Sequence, residues 1–410
     1  MKILVQKFGG TSVSTQERRE MVVDKIEGAV KNGFSPVVVV SAIGRKGDPY
    51  ATDTLIGLAN SVGVKSNPRE MDMLMSCGEI ISCVVLSNTI RKRGYDNIVL
   101  TGGQSGIITD ENFGDAEVLR VEPQLIYDCI EKGLIPVIAG FQGISENGEI
   151  TTLGRGGSDV TGAIIGEALN AEAVEIYTDV EGVMTADPRI VPDATVMDKM
   201  YYDEVFQMAE FGSKVIHPRA VEVAMRSSLP LVIKNTMSNS AGTLITNYDR
   251  SRRYRHDKSD KILTAIAHIS GRTRVRILFD GSAKEYENDN CLFDAIASEG
   301  ISIDMINVSP DFKLFIIGDN DIEKLESVLL RYGYNYELKT DCSKVTIIGS
   351  KMGGVPGVMA KAISALAKHN IEVLQTSDSH TTISCLIESK NTNAAVNALH
   401  QEFELGKPAL

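Results

Sequence analysis

Over roughly the first 245 residues, short runs of β-branched and other apolar residues alternate with stretches whose apolar positions recur every three or four. Ile3–Phe8, Val37–Ser41, Ile98–Leu100, Ile135–Phe141, Val174–Thr178 and Leu231–Ile233 read as strands. Several are apolar at consecutive positions, as strands covered by helices on both faces must be. Between the first two lies SVSTQERREMVVDKIEGAVKNG. There Ser14 and Glu17 have the spacing of a capping box, Met21, Ile26 and Val30 contribute an apolar stripe, and Gly33 stops the helix. Strands alternating with helices predict an α/β fold, a three-layer α/β/α sandwich with a mainly parallel sheet. Ligands of such sheets bind beyond the carboxyl ends of the strands. Lys7, Ser41, Phe141 and Asp179 all fall at predicted strand ends.

The pattern breaks at Asn247–Lys261, a polar run without apolar period, which reads as a linker. Beyond it the chain repeats itself: FDAIASEGISID at 293–304 aligns with ISALAKHNIEVL at 363–374, an offset of 70. Phe293, Ala295, Ile296, Ala297, Ile301 and Ile303 match Ile363, Ala365, Leu366, Ala367, Ile371 and Val373. A strand precedes each copy (Arg274–Phe279 and Lys344–Ile348), and a β-rich segment and second helix follow. Two similar small α/β modules result. Two copies are too few for a solenoid, so they are expected to pair with each other or across a dimer. The expected division is 1–246, a linker at 247–261, a first module at 262–340 and a second at 341–405.

Composition narrows the function classes. A chain of 410 residues exceeds one ordinary core, which predicts two or three domains. Net charge is −12, and the densest basic cluster is RSRRYR at 250–255, inside the linker. Neither nucleic acid nor an anionic membrane surface is therefore an expected partner. The six cysteines show no C-x-x-C pair or metal-ligand spacing, which predicts reduced, mostly buried thiols in a cytoplasmic protein. No signal peptide is read at the N-terminus, and no apolar stretch is expected to reach membrane-spanning length.

Candidate chemistry is concentrated before the linker. In TTLGRGGSDVTGAIIGEAL at 151–169, Gly154, Gly156 and Gly157 surround Arg155, Ser158 occupies an expected helix N-cap, and Asp159 follows. Glycines admit an anion to backbone N–H groups, a helix N-terminus favours negative charge, and an arginine clamps carboxylate or phosphate bidentately. Asp159 could orient an amino group or a hydrated Mg²⁺. The alternative is a Gly-rich turn with a solvated Arg and a capping Asp. In IYTDVEGVMTADPR at 176–189, Thr178 and Asp179 could hold a ribose or base and Arg189 could reach phosphates, or the segment is an Asp-Pro turn. Lys214 in FGSKVIHP is a surface charge unless those loops converge on it, and His217 before Pro218 reads as structural. Glu79, in MSCGEIIS, needs a partner if buried, either a substrate ammonium or Arg69. Thr52 and Asp53 are a helix cap or a substrate contact. Three glycine-flanked cations (Lys7, Arg155, Lys214) without an obvious catalytic His or Cys suit phosphoryl transfer between two anions.

KFGGTSV, GRGGSD, TDVEGVMTADPR and GSKVIHP, in this order, resemble the aspartate kinases of the amino-acid kinase family, and the tail repeat resembles their tandem ACT modules. VSAIGRKGDPYATD and LQTSDSHTTIS further resemble monofunctional bacterial enzymes of lysine and diaminopimelate biosynthesis. The resemblance implies that ATP and L-aspartate give ADP and 4-phospho-L-aspartate. It assigns Lys7 to the transferred phosphoryl group, Gly9, Gly10, Thr11 and Ser41 to the phosphate path, and Asp159 to substrate and Mg²⁺. Arg155 would hold a substrate carboxylate, Glu79 the amino group, and Thr52 and Ser158 further hydrogen bonds. Thr178, Asp179, Met184, Arg189 and Lys214 would serve the nucleotide, with methionine at 184 where many members have tyrosine. By the same resemblance LTAIAH at 263–268 would be a strand joining the second module, so that the first is inserted within it. The second module has GGVPGV at 353–358 before its helix, and the first has DGSAKEYENDN at 280–290 instead. Asp304, Met305, Gln375 and Ser377 would flank an effector pocket for lysine, threonine or diaminopimelate in a homodimer. The alternatives are a kinase for glutamate or acetylglutamate and an amino-acid-sensing regulatory protein, the latter expected to have lost Lys7, Arg155 or Asp159.

Overall fold

The computed structural model describes residues 1–64, 66–212, 215–247, 263–278, 292–349, 352 and 355–406. It forms two compact units. The first is Met1–Val183, Val196–Ala209 and Lys214–Tyr254; the second is Met184–Thr195, Glu210–Ser213 and Arg255–Leu410. No single cut near residue 246 separates them, because segments 184–195 and 210–213 belong to the second unit. Of the expected linker only Asn247 lies among the described residues.

The first unit opens with β1 (Ile3–Phe8), α1 (Gln16–Lys31), β2 (Ser35–Val40), α2 (Thr52–Asn60), α3 (Pro68–Lys92) and β3 (Asn97–Leu100). β4 (Ile107–Thr109), β5 (Val118–Val121), α4 (Gln124–Glu131), β6 (Ile135–Ala139), β7 (Gln142–Ser145), β8 (Ile150–Thr152) and α5 (Gly157–Ala168) follow. It closes with β9 (Ala173–Thr178), β10 (Lys199–Tyr201), α6 (Tyr202–Glu210), α7 (Pro218–Ser227), β11 (Leu231–Asn235) and β12 (Thr243–Thr246). The main sheet has eight strands in the order β10-β12-β11-β9-β1-β2-β6-β3. All its pairs are parallel except β11 with β12. One face packs Phe8, Val38, Val40 and Val137 against Val22, Val23 and Ile26 of α1 and Cys83, Leu86 and Ile90 of α3. On the other face α5 lies close to the sheet: a Cβ on its Gly162 would stand 3.3 Å from Lys7 Cβ.

Local details depart from the sequence reading. The cap of α1 is Thr15, which accepts from Arg18 N, while the Ser14 hydroxyl donates to Thr11 O. The buried arc of the helix is Val22, Val23, Ile26 and Ala29, and Met21 is exposed. β6 stops at Ala139 rather than Phe141, because Phe141 takes φ 68° and its N–H donates to Thr161 Oγ1 instead of the sheet. A second sheet, β5-β4-β7-β8, was not anticipated; its strands of three or four residues are too short to show a period. α3 is long and apolar enough to cross a membrane, against expectation, yet half of its apolar window is buried inside the protein. Its Asp72 accepts from Gly114 N, Thr152 N and Thr152 Oγ1 and fastens the small sheet to the helix.

The second unit contains β13 (Ala265–Leu278), a helix at 292–298, β14 (Asp304–Val308), β15 (Phe312–Gly318), α9 (Ile322–Tyr332) and β16 (Asn335–Ile348). With the helix at 292–298 counted as α8, it ends with α10 (Val358–Lys368), β17 (Gln375–Asp378), β18 (Thr382–Glu388) and α11 (Thr392–Glu402). β15 and β18, and likewise α9 and α11, start 70 residues apart, which is the offset of the sequence repeat. One antiparallel sheet, β14-β15-β13-β16-β18-β17, joins both modules. Ala265–Ile269 pair with Lys344–Ile348 in the second module, and Arg272–Leu278 continue beside β15 in the first. Each module has its own core, around Phe315 and Leu325 in one and Val345 and Leu399 in the other. Ala186 and Val191, from segment 184–195, are part of the latter core. Cys83, Cys129, Cys342 and Cys385 are buried free thiols and Cys77 is exposed. Phe279, the segment 280–290, Cys291 and the first two residues of GGVPGV lie outside the described residues.

Removing Asp72 would strand two buried donors, the N–H and hydroxyl of Thr152, and free the N–H of the exposed Gly114. Asp72→Ala should destabilise the protein by about 2–4 kcal/mol, read as a lower urea midpoint; an unchanged midpoint would show that the small sheet is held by other contacts.

Candidate active site

Four strand ends converge at the carboxyl edge of the main sheet. Lys7 lies one residue before the end of β1, Ser41 directly follows β2, Phe141 lies two residues past β6, and Asp179 directly follows β9. These strands are neighbours in the sheet, so loops far apart in sequence share one edge. Lys7 is nearly buried and its Nζ is 2.7 Å from Asp159 Oδ1. That oxygen accepts no aligned hydrogen bond, so the contact is a charge pair without hydrogen-bond geometry. Two charges this buried are stabilised only while they face each other or another ion.

The glycines after Lys7 act chiefly through space. A Cβ on Gly10 would lie 2.3 Å from Ala42 O, a collision that only glycine avoids. Gly10 O accepts from Gly44 N, which docks the loop after β2 onto this turn. Gly9 N already donates to Tyr177 O of β9. Ser12 Oγ and Thr236 Oγ1 are 2.7 Å apart and tie the turn to the chain after β11.

Facing this edge, α5 begins at a left-handed N-cap, Gly156 (φ 69°), where a side chain would strike His217. Ser158 is consequently the second residue of the helix and not its cap, because Gly156 supplies the reversal. It is buried, and a Cβ on Gly140 would meet its hydroxyl at 2.9 Å. Asp159 is in the first turn, at the positive end of the helix dipole. Arg155, just outside the helix, is exposed.

Glu79 of α3 is 2% exposed. Its Oε1 accepts from Ala42 N at 3.0 Å, and its Oε2 is buried without a hydrogen-bond partner. Burial pushes its pKa up to about 8. Arg69 does not neutralise it, since Arg69 pairs with Glu149 and Glu70. Thr52 opens α2 as its first residue, with Ala51 as N-cap, so neither Thr52 nor Asp53 caps the helix.

Thr178 and Asp179 end β9, with Thr178 Oγ1 donating to Asp179 Oδ1 and Asp179 Oδ2 paired at 2.5 Å with Arg45. Arg45 and Thr236 escaped the sequence reading. Arg45 stood in the polar loop RKGDPYA, but only the fold shows which acid it meets. Met184 and Arg189 belong to the second unit, where Arg189 is exposed and paired with Asp187 at 2.6 Å. Lys214 lies outside the described residues. His217 is the N-cap of α7, followed by Pro218 at the first helical position.

The proposed effector residues lie in the second unit on facing edges of the two modules. Gln375 Nε2 donates to Met305 O, Met305 is buried with φ 50°, and Asp304 Oδ2 pairs with Lys344 Nζ at 2.5 Å. Gln375 Oε1 is buried without a partner, and Ser377 is exposed.

Comparison with known proteins agrees with this architecture. The amino acid kinase family model matches residues 2–235, and an ACT domain model matches residues 337–401. Aspartokinase 1 of Bacillus subtilis is 42% identical over 407 residues, covering 99% of this chain and all of the relative. The aspartokinase of Pseudomonas aeruginosa is 38% identical over 419 residues, covering 100% of this chain and 99% of its own. The aspartate kinase of Synechocystis superposes with a TM-score of 0.54 at 32% identity, covering 98% of this chain and 69% of that one. Escherichia coli aspartokinase III, in complex with aspartate and ADP, superposes with a TM-score of 0.80 over 98% of this chain and 99% of that one. At 24% identity that likeness bears on the fold alone. With one family model over more than half its length and full-length relatives up to 42% identical, this chain belongs to the amino acid kinase family, among its aspartokinases.

Proposed function

We propose that the chain transfers the γ-phosphoryl group of ATP to the side-chain carboxylate of L-aspartate, giving ADP and 4-phospho-L-aspartate. The observation that carries the acceptor's identity is Glu79, a buried carboxylate with one oxygen unpartnered beside the loop after β2. A substrate ammonium satisfies that oxygen and neutralises its charge; the family motif and the exposed Arg155 supply the partner for the α-carboxylate. Thr52 and Ser158 add hydrogen bonds. The acceptor carboxylate is a nucleophile without losing a proton, so the site needs charge neutralisation and in-line placement more than a general base.

Lys7 supplies that neutralisation at the transferred group, held by Asp159 at the foot of α5. Gly9, Gly10, Thr11 and Ser41 leave room for phosphate against the sheet edge, and Thr178 and Asp179 serve the nucleotide. Met184, Arg189 and Lys214 are kept as nucleotide contacts on the family motif. Mg²⁺ bound with the nucleotide supplies further neutralisation of the phosphates. Asp159 would be the protein carboxylate for that ion. The paired modules, with Asp304, Met305, Gln375 and Ser377, are read as an amino-acid effector site for lysine, threonine or diaminopimelate in a homodimer.

Trapping acyl phosphate with hydroxylamine tests the reading: aspartate should give hydroxamate with ATP and glutamate little, and the reverse preference would overturn it. Lys7→Met should lower kcat by roughly 10²–10³-fold with a folded protein by circular dichroism. The ammonium is accepted by ionised Glu79, whose ligand-free pKa is about 8. At pH 7 only about a tenth of the enzyme is in that form, so KM for aspartate should fall close to tenfold between pH 7 and 8.5. Glu79→Gln should raise KM and flatten that profile; a KM independent of pH in the wild type would remove Glu79 from substrate binding.

A further inference from the structure

The loop after β2 is built around one side chain. Gly44 takes φ 85°, where a Cβ would strike the side chain of Asp48. Asp48 Oδ2 accepts from Arg45 N at 2.7 Å, and Asp48 N donates to Arg45 O at 2.9 Å, so both backbone groups of Arg45 are tied to one residue. Gly47 N donates to Thr54 Oγ1 of α2, and Gly44 N donates to Gly10 O in the turn that follows Lys7. The backbone of Arg45 is therefore fixed, and its 69% exposed side chain is what remains free to move.

That side chain ends on the far side of β1. The sheet order here is β9-β1-β2, so Arg45 starts from one neighbour of the Lys7 strand and its partner Asp179 directly follows the other. Two strand spacings are about 10 Å. The pair thus spans the end of β1 beside the Gly9–Gly10 turn, which is bonded to Tyr177 O on one side and to Gly44 N on the other. Two cations face two carboxylates at this edge, Lys7 with Asp159 and Arg45 with Asp179. A Mg²⁺-bound triphosphate in front of Lys7 is still anionic, so it attracts both cations and repels both acids. The Lys7–Asp159 pair is nearly buried and is costly to separate. The Arg45–Asp179 pair is exposed, and exposed ion pairs contribute little, whereas arginine grips phosphate through two parallel N–H···O bonds. Arg45 is the cation that can change partner.

We propose that Arg45 is a further phosphate-binding residue: when ATP binds, its guanidinium leaves Asp179 for the phosphate chain and frees the Asp179 carboxylate for a nucleotide hydroxyl. The inference rests on the reading of this edge as an ATP site and adds to it a cation from outside the glycine motifs. Arg45 is paired with Asp179, the acid assigned to the nucleotide, and not with Glu79, the acid assigned to aspartate, which sets it on the donor side of the reaction.

Calorimetric titration of the full chain with Mg²⁺ tripolyphosphate, a phosphate chain without ribose or base, separates this exchange from a static brace. Wild type, Arg45→Gln, Arg45→Lys, Asp179→Asn and Lys7→Met are compared, with ATP titrated in parallel. Arg45→Gln should raise the Kd for tripolyphosphate about tenfold, and Arg45→Lys should recover part of that loss. Asp179→Asn removes the competing carboxylate, so it should leave that Kd unchanged or lower it by up to about fivefold, while raising the Kd for ATP. If Arg45→Gln and Asp179→Asn weaken ATP alike and leave tripolyphosphate alone, Arg45 only braces Asp179 and the proposal is overturned. Tripolyphosphate binding lost in Lys7→Met but kept in Arg45→Gln overturns the proposal and leaves the ATP site standing. Binding indifferent to both substitutions, or no binding by wild type, overturns it together with the placement of the phosphate path.

Discussion

A lysine and an aspartate held 2.7 Å apart in a nearly dry place set the terms for the rest of the first unit. Lys7 is on a central strand and Asp159 on the first turn of α5, so their pairing requires that helix to lie close against β1. Gly162 permits the approach, and Gly156 turns the chain so that the helix begins where Asp159 can reach. The pair is also incomplete, since its geometry is not that of an aligned hydrogen bond. A buried cation poised in this way gains most when a phosphoryl group arrives in front of it. Glu79 is in the opposite condition, a buried anion held by one backbone N–H, and it gains when an ammonium arrives. In the proposed reaction these two unmet demands are met by two ligands of opposite local charge.

Much of this was legible in the sequence because it rests on period and punctuation. The central strands were readable as consecutive apolar runs, Lys7, Ser41 and Asp179 were placed at strand ends, and the glycines around Arg155 marked a turn into a helix. What could not be read was geometry of one residue or less. Thr15 rather than Ser14 caps α1, and Gly156 rather than Ser158 caps α5, because neighbouring candidates have similar local propensity and tertiary contacts choose between them. The Arg45–Asp179 pair joins loops 134 residues apart, and no local pattern announces such a contact. The small sheet of β4, β5, β7 and β8 failed for a different reason: strands of three or four residues hold at most two periods of alternation.

The repeat was legible for the opposite reason, since it compares the chain with itself. The second unit carries the offset through strand, short 3₁₀ turn and helix alike. Its six-stranded sheet is continuous because β13 and β16 each run through both modules. The sequence did not show that segment 184–195, which directly follows the β9 loop, is built into this unit. Ile266 N donates to Thr185 O, the Thr185 hydroxyl meets His400 Nε2 at 2.9 Å, and Asn397 donates to Ile190 O. The chain that carries Asp179 thus continues into the core of the module that includes α11.

The central claim, that Asp159 acts by holding Lys7 in place, is open to a double-mutant cycle on kcat for aspartate phosphorylation. Wild type, Lys7→Met, Asp159→Asn and the double variant would be measured under saturating substrates. If the pair works as one unit, the double variant is no slower than Lys7→Met, and the losses are strongly non-additive. Losses that multiply in full would show two independent contributions and contradict the account.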